Sequence, residues 1–319
     1  MKTKSVVRYL PLYAALIAFA VMLACSPERY VPACFEGLAL WAKCVAPALF
    51  PFMVITLLLI KTGGADMAAR PLKRACSFLG LPPDGAVIFI MSVFSGYPAG
   101  SRIVYEYCED GRISAGDAQK LAPICSTSGP LFLLGSVGQS MLGDKAQGAI
   151  IFAAHIISVL TVGLIICLCD RKKGRREGPS PLPSAAGGNI LYDAFYSAVM
   201  SVLVAGGFIC FFYTLSCAAR DAGLLLFLEA PLTHLLGGGA GAFCYGLIEA
   251  TGGCAGLAAH GGAFALPLMG FLITFGGCSI IAQQLCYLLK CGVKPLKFIG
   301  AKAAQGALCF VLLLPLVAA

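Results

Sequence analysis

The sequence predicts an all-α polytopic integral membrane protein built from two inverted-topology repeats, each holding a re-entrant helical hairpin and a discontinuous helix. Three observations lead there. Hydrophobic residues make up 59% of the 319-residue chain and charged residues 12%, about half the roughly 25% charge usual in soluble domains. Long apolar stretches alternate with shorter ones interrupted by glycine and proline, in the same order in both halves. The basic residues cluster between these stretches, and their placement gives the halves opposite orientations. So little polar surface cannot coat a water-soluble globule of this size. A cytosolic enzyme, a nucleic-acid-binding domain and a secreted disulfide scaffold are therefore excluded.

A net charge of +8 would suggest a polyanion partner were it gathered on one face. Instead Lys2, Lys4 and Arg8, then Lys61, Arg70, Lys73 and Arg74, then Arg171 to Arg176, then Lys290, Lys294 and Lys297 punctuate the apolar stretches. Retention of positive charge on the cytoplasmic side produces that pattern. The 16 cysteines include no CxxC pair, and most sit in apolar segments, as Cys44, Cys210, Cys244 and Cys309 do. Buried thiols act as small hydrophobes, so neither a disulfide framework nor a metal site is expected.

A full crossing needs about 20 apolar residues. The long stretches are Arg8 to Cys25, Val45 to Ile60, Ala146 to Cys169, Ile190 to Cys217 and Leu296 to Ala318. Met22-Leu23-Ala24-Cys25 faintly resembles a lipobox, but Met22 stands where leucine is preferred, so the first stretch is expected to remain as a helix. The expected organisation is an N-terminal transmembrane helix at 1–30, a first repeat at 31–169, a basic Pro/Ser/Gly-rich cytoplasmic linker at 170–189 and a second repeat at 190–319.

The short stretches carry the information. Gly85 to Tyr97 spans 13 residues, about 20 Å of helix, too short for a hydrocarbon core about 30 Å thick. It ends at Ser95-Gly96-Tyr97-Pro98 and is followed by a second short helix, Ser101 to Cys108. Next come Ser114 to Cys125, the breaker Ser126-Thr127-Ser128-Gly129-Pro130, and Leu131 to Leu142. In the second half, Gly237 to Ile248 leads to a tip at Glu249 to Gly253 and a brief return arm, Cys254 to Ala259. Ala263 to Thr274, a break at Phe275-Gly276-Gly277, and Cys278 to Lys290 follow. Amphipathic links, Ala65 to Leu79 and Leu224 to Leu236, precede the two hairpins.

Charge sets the directions. Lys2 to Arg8 place the N-terminus in the cytoplasm, and Lys61 to Arg74 bring the chain back there. The first hairpin and broken helix then run from inside to outside, and the second pair runs the other way, leaving the C-terminus extracytoplasmic. Many secondary transporters are built from inverted repeats with discontinuous helices. Irregular backbone at membrane depth survives only where protein buries it or a water-filled cavity lies beside it. The competing reading is that glycine and proline here serve only close helix packing.

The stretch Phe94-Ser95-Gly96-Tyr97-Pro98-Ala99-Gly100, then Cys125-Ser126-Thr127-Ser128-Gly129-Pro130-Leu131-Phe132, resembles the YlbJ family of sporulation integral membrane proteins. Gly246-Leu247-Ile248-Glu249 with Gly252, and Phe275-Gly276-Gly277 with a glutamine at 283 or 284, extend the resemblance. It runs from about Ala33 onward and places the chain near the nucleoside-recognition (Gate) group. The chain departs where asparagines usually precede Ser-Gly-Pro, having Ser126 and Thr127, and where a lysine is usual at Arg102. The resemblance implies sporulation and a nucleoside-like solute.

The expected ligand-binding residues are Ser95, Gly96, Tyr97 and Pro98 at the first tip and Ser126, Thr127, Ser128 and Gly129 at the first break. Glu249, Thr251 and Gly252 at the second tip and Phe275, Gly276, Gly277 and Gln283 at the second break complete the set. Glu249 leads because a carboxylate among apolar neighbours at membrane depth is costly and usually functional; a purely structural cap on a half-helix is the alternative. The three hydroxyls either face a ligand or cap a helix. His155 reads as a hydrogen-bonded bundle residue before a proton relay, and Arg102 and Glu106, one turn apart, as a pair.

Neither HExxH, GxGD, GxSxG nor a P-loop occurs, so no enzymatic chemistry and no cofactor are expected. The expected partners are the lipid bilayer, a small polar solute and a coupling cation or proton, with homo-oligomers compatible and nucleic acid not. The alternative function is a non-transporting scaffold or signalling protein of spore cortex or coat formation. The topology makes a direct prediction: reporters fused at residue 180 report the cytoplasm and at residue 319 the outside. Finding both on one side refutes the inverted arrangement.

Overall fold

A computed structural model describes residues 2–169 and 189–317, and all regular structure among them is helical. The expected linker therefore lies, apart from Asn189, outside the described residues. Helices suit this composition because each satisfies its own backbone within one segment.

Helix α1 (Lys2–Cys25) leads through Ser26 into α2 (Pro27–Leu40), a π-helical turn at Trp41–Val45, and α3 (Ala46–Lys61). Pro27–Lys61 is thus one helical stretch of 35 residues, longer than the Val45 to Ile60 expected. Pro47 lacks an N–H and crowds the carbonyl one turn back, and the wide π turn just before it absorbs the misfit. The following α4 (Gly64–Phe78) is amphipathic: it buries Ala65, Ala69 and Cys76 and pairs Lys73 with Asp66 at 3.0 Å.

Helices α5 (Asp84–Ser95) and α6 (Ala99–Glu109) form the first hairpin. Arg112, beyond it, holds Asp84 through two hydrogen bonds at 3.0 and 3.1 Å. A capping box, Ser114 with Asp117, starts α7 (Ala115–Ile124). After a non-helical break, a π-helical segment (Phe132–Met141) stands where an ordinary helix was expected, and α8 (Lys145–Cys169) closes the half.

The second half comprises α9 (Ile190–Asp221), α10 (Leu226–Leu236), the hairpin α11 (Gly239–Ile248) and α12 (Ala250–His260), then α13 (Ala265–Phe275), α14 (Gly277–Leu288) and α15 (Pro295–Leu313). Two expectations fail here. The link α10 is mostly apolar rather than clearly amphipathic, with Glu229, Thr233 and His234 its polar residues and Leu226, Phe227 and Leu228 exposed. The return arm α12 is as complete as its partner: Gly252 and Gly253 do not break it, and Gly253 lets it lie against Gly246 of α11.

Five stretches are long and apolar enough to cross a membrane among the described residues: Pro27–Lys61, Lys145–Cys169, Ile190–Asp221, Ala265–Cys291 and Pro295–Val317. Their outward faces carry large apolar side chains, such as Ile157, Ile165, Leu203 and Phe211, which a lipid solvent requires and water would penalise. Inside, α3 lies along α9, and α8 along α15. The return arm α6 packs on α14, and the return arm α12 packs on the π-helical segment. Each hairpin therefore touches the far part of the other half's interrupted helix.

These crossings depend on absent side chains. A Cβ added at Gly100 would lie 1.9 Å from the Cys125 carbonyl oxygen, and one at Gly253 would lie 2.2 Å from Gly246 Cα. Gly300, inside α15, meets nothing within 4 Å. Gly100→Ala and Gly253→Ala are expected to lower thermal stability in detergent by at least the ~1–3 kcal/mol of an overpacked core. Gly300→Ala is expected to be neutral or to stabilise by up to about 1 kcal/mol.

Candidate functional site

Where α7 stops, its last carbonyls have no partner within the helix, and donors reach them from the far end of the chain. Lys302 Nζ donates to the Ser126 carbonyl at 2.8 Å, and Gln305 Nε2 donates to the Pro123 carbonyl at 2.9 Å. The two side chains are three residues apart and share one face of α15. Both are fully buried. On the other side of the break, the Ser128 N–H donates to His155 Nε2 at 3.0 Å. A backbone N–H only donates, so Nε2 is the acceptor and the ring proton sits on Nδ1. That nitrogen donates to Thr274 Oγ1 at 2.9 Å. A neutral His155 from α8 thus ties the first break to the last turn of α13, bearing out its reading as a bundle residue.

The first tip presses on the same place. Gly96 has φ 72°, and a Cβ there would lie 2.8 Å from the Gly129 nitrogen, so tip and break meet backbone to backbone. The Tyr97 hydroxyl donates to the Ile273 carbonyl, and Lys302 Nζ lies 5.6 Å from the centre of its ring. Pro98 precedes α6, whose N-terminus no side chain caps. Ser95 points elsewhere, with Oγ 2.8 Å from Thr56 Oγ1.

At the second tip only Glu249 leaves the helical conformation (φ −128°, ψ 102°). Thr251 and Gly252, expected in the tip, form the first turn of α12. Glu249 is fully buried, and its carboxylate is the cap of that turn. Oε1 accepts from the Thr251 N–H at 3.2 Å, and Oε2 accepts from the Gly252 N–H at 2.6 Å. This is the geometry of the structural alternative weighed for Glu249. The second break narrows to Gly276 (φ 97°) and Gly277 (φ 60°), and a Cβ on Gly277 would lie 2.8 Å from the Gly246 carbonyl.

Phe275 packs at a tilt against Phe271, with ring centres 5.6 Å apart, and makes an aromatic rather than a polar contact. Gln283 reaches only Ser279 of its own helix, at 3.4 Å. Its neighbour Gln284 is the one that joins the halves, accepting from Ser101 Oγ at 3.0 Å. Arg102 pairs with Glu106 at 2.8 Å as expected and also donates to Ser201 Oγ on α9 at 2.6 Å.

Among the described residues, five buried side-chain polar atoms have no hydrogen-bond partner: Ser126 Oγ, Thr127 Oγ1, Ser128 Oγ, Gln284 Nε2 and Gln305 Oε1. The hydroxyls do not cap a helix; Ser128 Oγ lies beside the Tyr97 hydroxyl without meeting hydrogen-bond geometry. The first tip, the first break, His155, Thr274, Lys302 and Gln305 therefore make one buried cluster. Glu249 with Thr251, Gly252, Gly276 and Gly277 makes a second.

A vestibule of about 840 Å³ opens between α2, α9 and the second hairpin. Glu36, Lys43, Arg220 and Glu229 line it, and it reaches Gly252. Tyr213 donates to Glu36 there at 2.9 Å. Helix α12 shows Gly252, Ala255 and Gly256 to this space and buries Cys254 and Leu257 on its other side. It is the partition between vestibule and core.

Lys302 and Gln305 escaped the sequence reading, which near α15 named only Lys290, Lys294 and Lys297. The signal was present: a lysine and a glutamine three apart in the apolar run Gly300-Ala301-Lys302-Ala303-Ala304-Gln305-Gly306. Ionisable residues inside a membrane helix face a partner or a cavity by default.

Apolar outward faces around buried polar clusters define a multi-pass α-helical integral membrane protein. Among curated proteins, the chain is similar to the sporulation integral membrane protein YlbJ of Bacillus subtilis (strain 168), with 30% identity over 212 residues, covering 58% of this chain and 50% of that relative. The chain thus spans about half the length of the curated relative it matches. This supports the likeness to YlbJ-like sporulation membrane proteins. No family model matches the chain, and no solved structure does.

The caps make a stability prediction. Glu249→Ala is expected to cost about 0.5–2 kcal/mol, as loss of an N-cap does, and Glu249→Gln, which keeps one acceptor oxygen, less. His155→Leu strands the buried Ser128 N–H and is expected to cost about 1–3 kcal/mol. Thermal unfolding in detergent measures all three.

Proposed function

We propose that this chain is a secondary-transporter-like membrane protein of sporulation that holds a small polar solute, through an anionic group, at the first helix break. The observation that carries this reading is the gathering of unpartnered buried polar atoms around Lys302. Leaving such groups unpaired away from water is costly, and they are rare in native proteins. A solute's polar atoms are the natural complement.

The inventory favours an anion. An ammonium has three donors, and Lys302 places one on Ser126. The three hydroxyls add donors, while Gln305 Oε1 is the one obligate acceptor among the unpartnered atoms of this cluster. Glu249 offers a template in the same chain: a carboxylate seated on the N-terminus of a return arm. The N-terminus of α6 lacks such a cap, and a solute carboxylate there would sit close to Lys302. The recurring order of packing, link on hairpin and hairpin on broken helix, supports the inverted-repeat reading. The vestibule supplies an approach, and passage into the cluster requires α12 to move aside. The scaffold reading draws on the fact that both Glu249 oxygens are already satisfied.

The test is a thermal-shift screen of the purified protein against formate, acetate, benzoate, oxalate, inorganic phosphate, uridine and adenosine, with Lys302→Met alongside. At least one anion is expected to stabilise the wild type, by about 2.7 kcal/mol at 100 times its Kd, and to lose that effect in the variant. A nucleoside shift indifferent to Lys302→Met would restore the nucleoside reading. No shift from any compound would favour the scaffold.

A further inference from the structure

We propose that Lys302 is the proton carrier of this site: its amine takes up a proton as an anionic solute enters and releases it as the solute leaves. This rests on the solute-binding reading above and adds the coupling ion.

The argument is one of charge balance. Lys302 is fully buried on α15, has the Ser126 carbonyl as its hydrogen-bond partner, and has no ion-pair partner among the described residues. The titratable groups facing it are Tyr97 from the first tip, His155 from α8 and Cys309 from its own helix. The packed helix α13 brings Thr274 and the Ile273 carbonyl to this cluster, and α7 and the break bring the carbonyls of Pro123 and Ser126. None of these is a carboxylate. Glu249 is committed to the N-terminus of α12, with both oxygens occupied. His155 is held neutral by accepting from Ser128.

An ammonium at membrane depth without a counter-charge is costly, and so is an anion alone. Together they neutralise one another. The empty site therefore favours R–NH2, which still has an N–H for the Ser126 carbonyl, and the loaded site favours R–NH3+ beside the anion. The balanced step is R–NH2 + H+ + A− → R–NH3+·A−, with the proton drawn from water. Linkage is reciprocal, so the proton raises affinity for the anion by the factor by which the anion raises affinity for the proton. For a monoanion the empty and loaded sites carry the same net charge, and the membrane potential does not oppose either passage.

The experiment is isothermal titration of the wild type with the best-binding anion among formate, acetate and benzoate, all fully ionised between about pH 6 and 8. Two buffers of different ionisation enthalpy give the number of protons taken up. The expected count is close to one per anion, with apparent affinity rising about tenfold per unit fall in pH while the empty amine is neutral. Lys302→Arg, with a permanent charge, is expected to bind the anion without proton uptake. Lys302→Met is expected not to bind it. Anion binding to the wild type with no proton uptake overturns the coupling while the solute site stands, as does proton uptake persisting in Lys302→Arg. If none of the anions binds, the solute site itself falls, and the coupling with it. The wild-type proton count decides even if arginine is not tolerated.

Discussion

The carbonyls of Pro123 and Ser126, left open where α7 ends, are held by Gln305 and Lys302 from the last helix of the chain. Much else follows from that attachment. An interrupted helix away from water cannot leave its backbone unpaired, and here the open carbonyls take partners from the opposite half, while the Ser128 N–H takes its acceptor from α8 of its own half. Ser128 is held by His155, His155 by Thr274, and the Ile273 carbonyl by Tyr97. Neither break can be completed by its own half, so the two halves are expected to assemble together or not at all.

The two buried charges are treated differently. Glu249 is self-contained: it ends one arm of a hairpin and caps the next, and its charge meets two N–H groups and a helix dipole. Lys302 has a carbonyl and an aromatic ring, which offer partial charge only. The first arrangement pairs its charge within the chain, and the second has no ion-pair partner among the described residues. That contrast is why the proposed solute site is centred on a lysine the sequence analysis passes over and not on the carboxylate it singles out. The glycine contacts serve the same end, because Gly96 against Gly129 and Gly253 against Gly246 bring tips, arms and breaks close enough for short side chains to reach across.

Most helices and both breaks were legible in the sequence, and the errors have physical causes. The helical stretch expected over Val45 to Ile60 reaches back through Trp41–Val45 to Pro27, because a π turn can absorb the misfit of Pro47. Gly252 and Gly253 read as breakers, yet a glycine pair in an apolar helix also serves close packing. Gln283 and Gln284 differ by about 100° of rotation around the helix, and residue type alone does not tell which one faces the partner. Ser126, Thr127 and Ser128 lie at the break the sequence marks, but whether their hydroxyls act as caps is not readable from their identity.

Composition and local punctuation by themselves determined the membrane class, the order of most helices and the two interior breaks. These are properties of short segments: apolar length sets a crossing, and glycine and proline act within a turn of where they stand. The chemistry of the site was decided only in the tertiary structure. Lys302 meets a carbonyl 176 residues away, and His155 meets Thr274 across 119 residues. Such bonds depend on which faces of distant helices are turned together, and that is settled by the packing of the whole bundle.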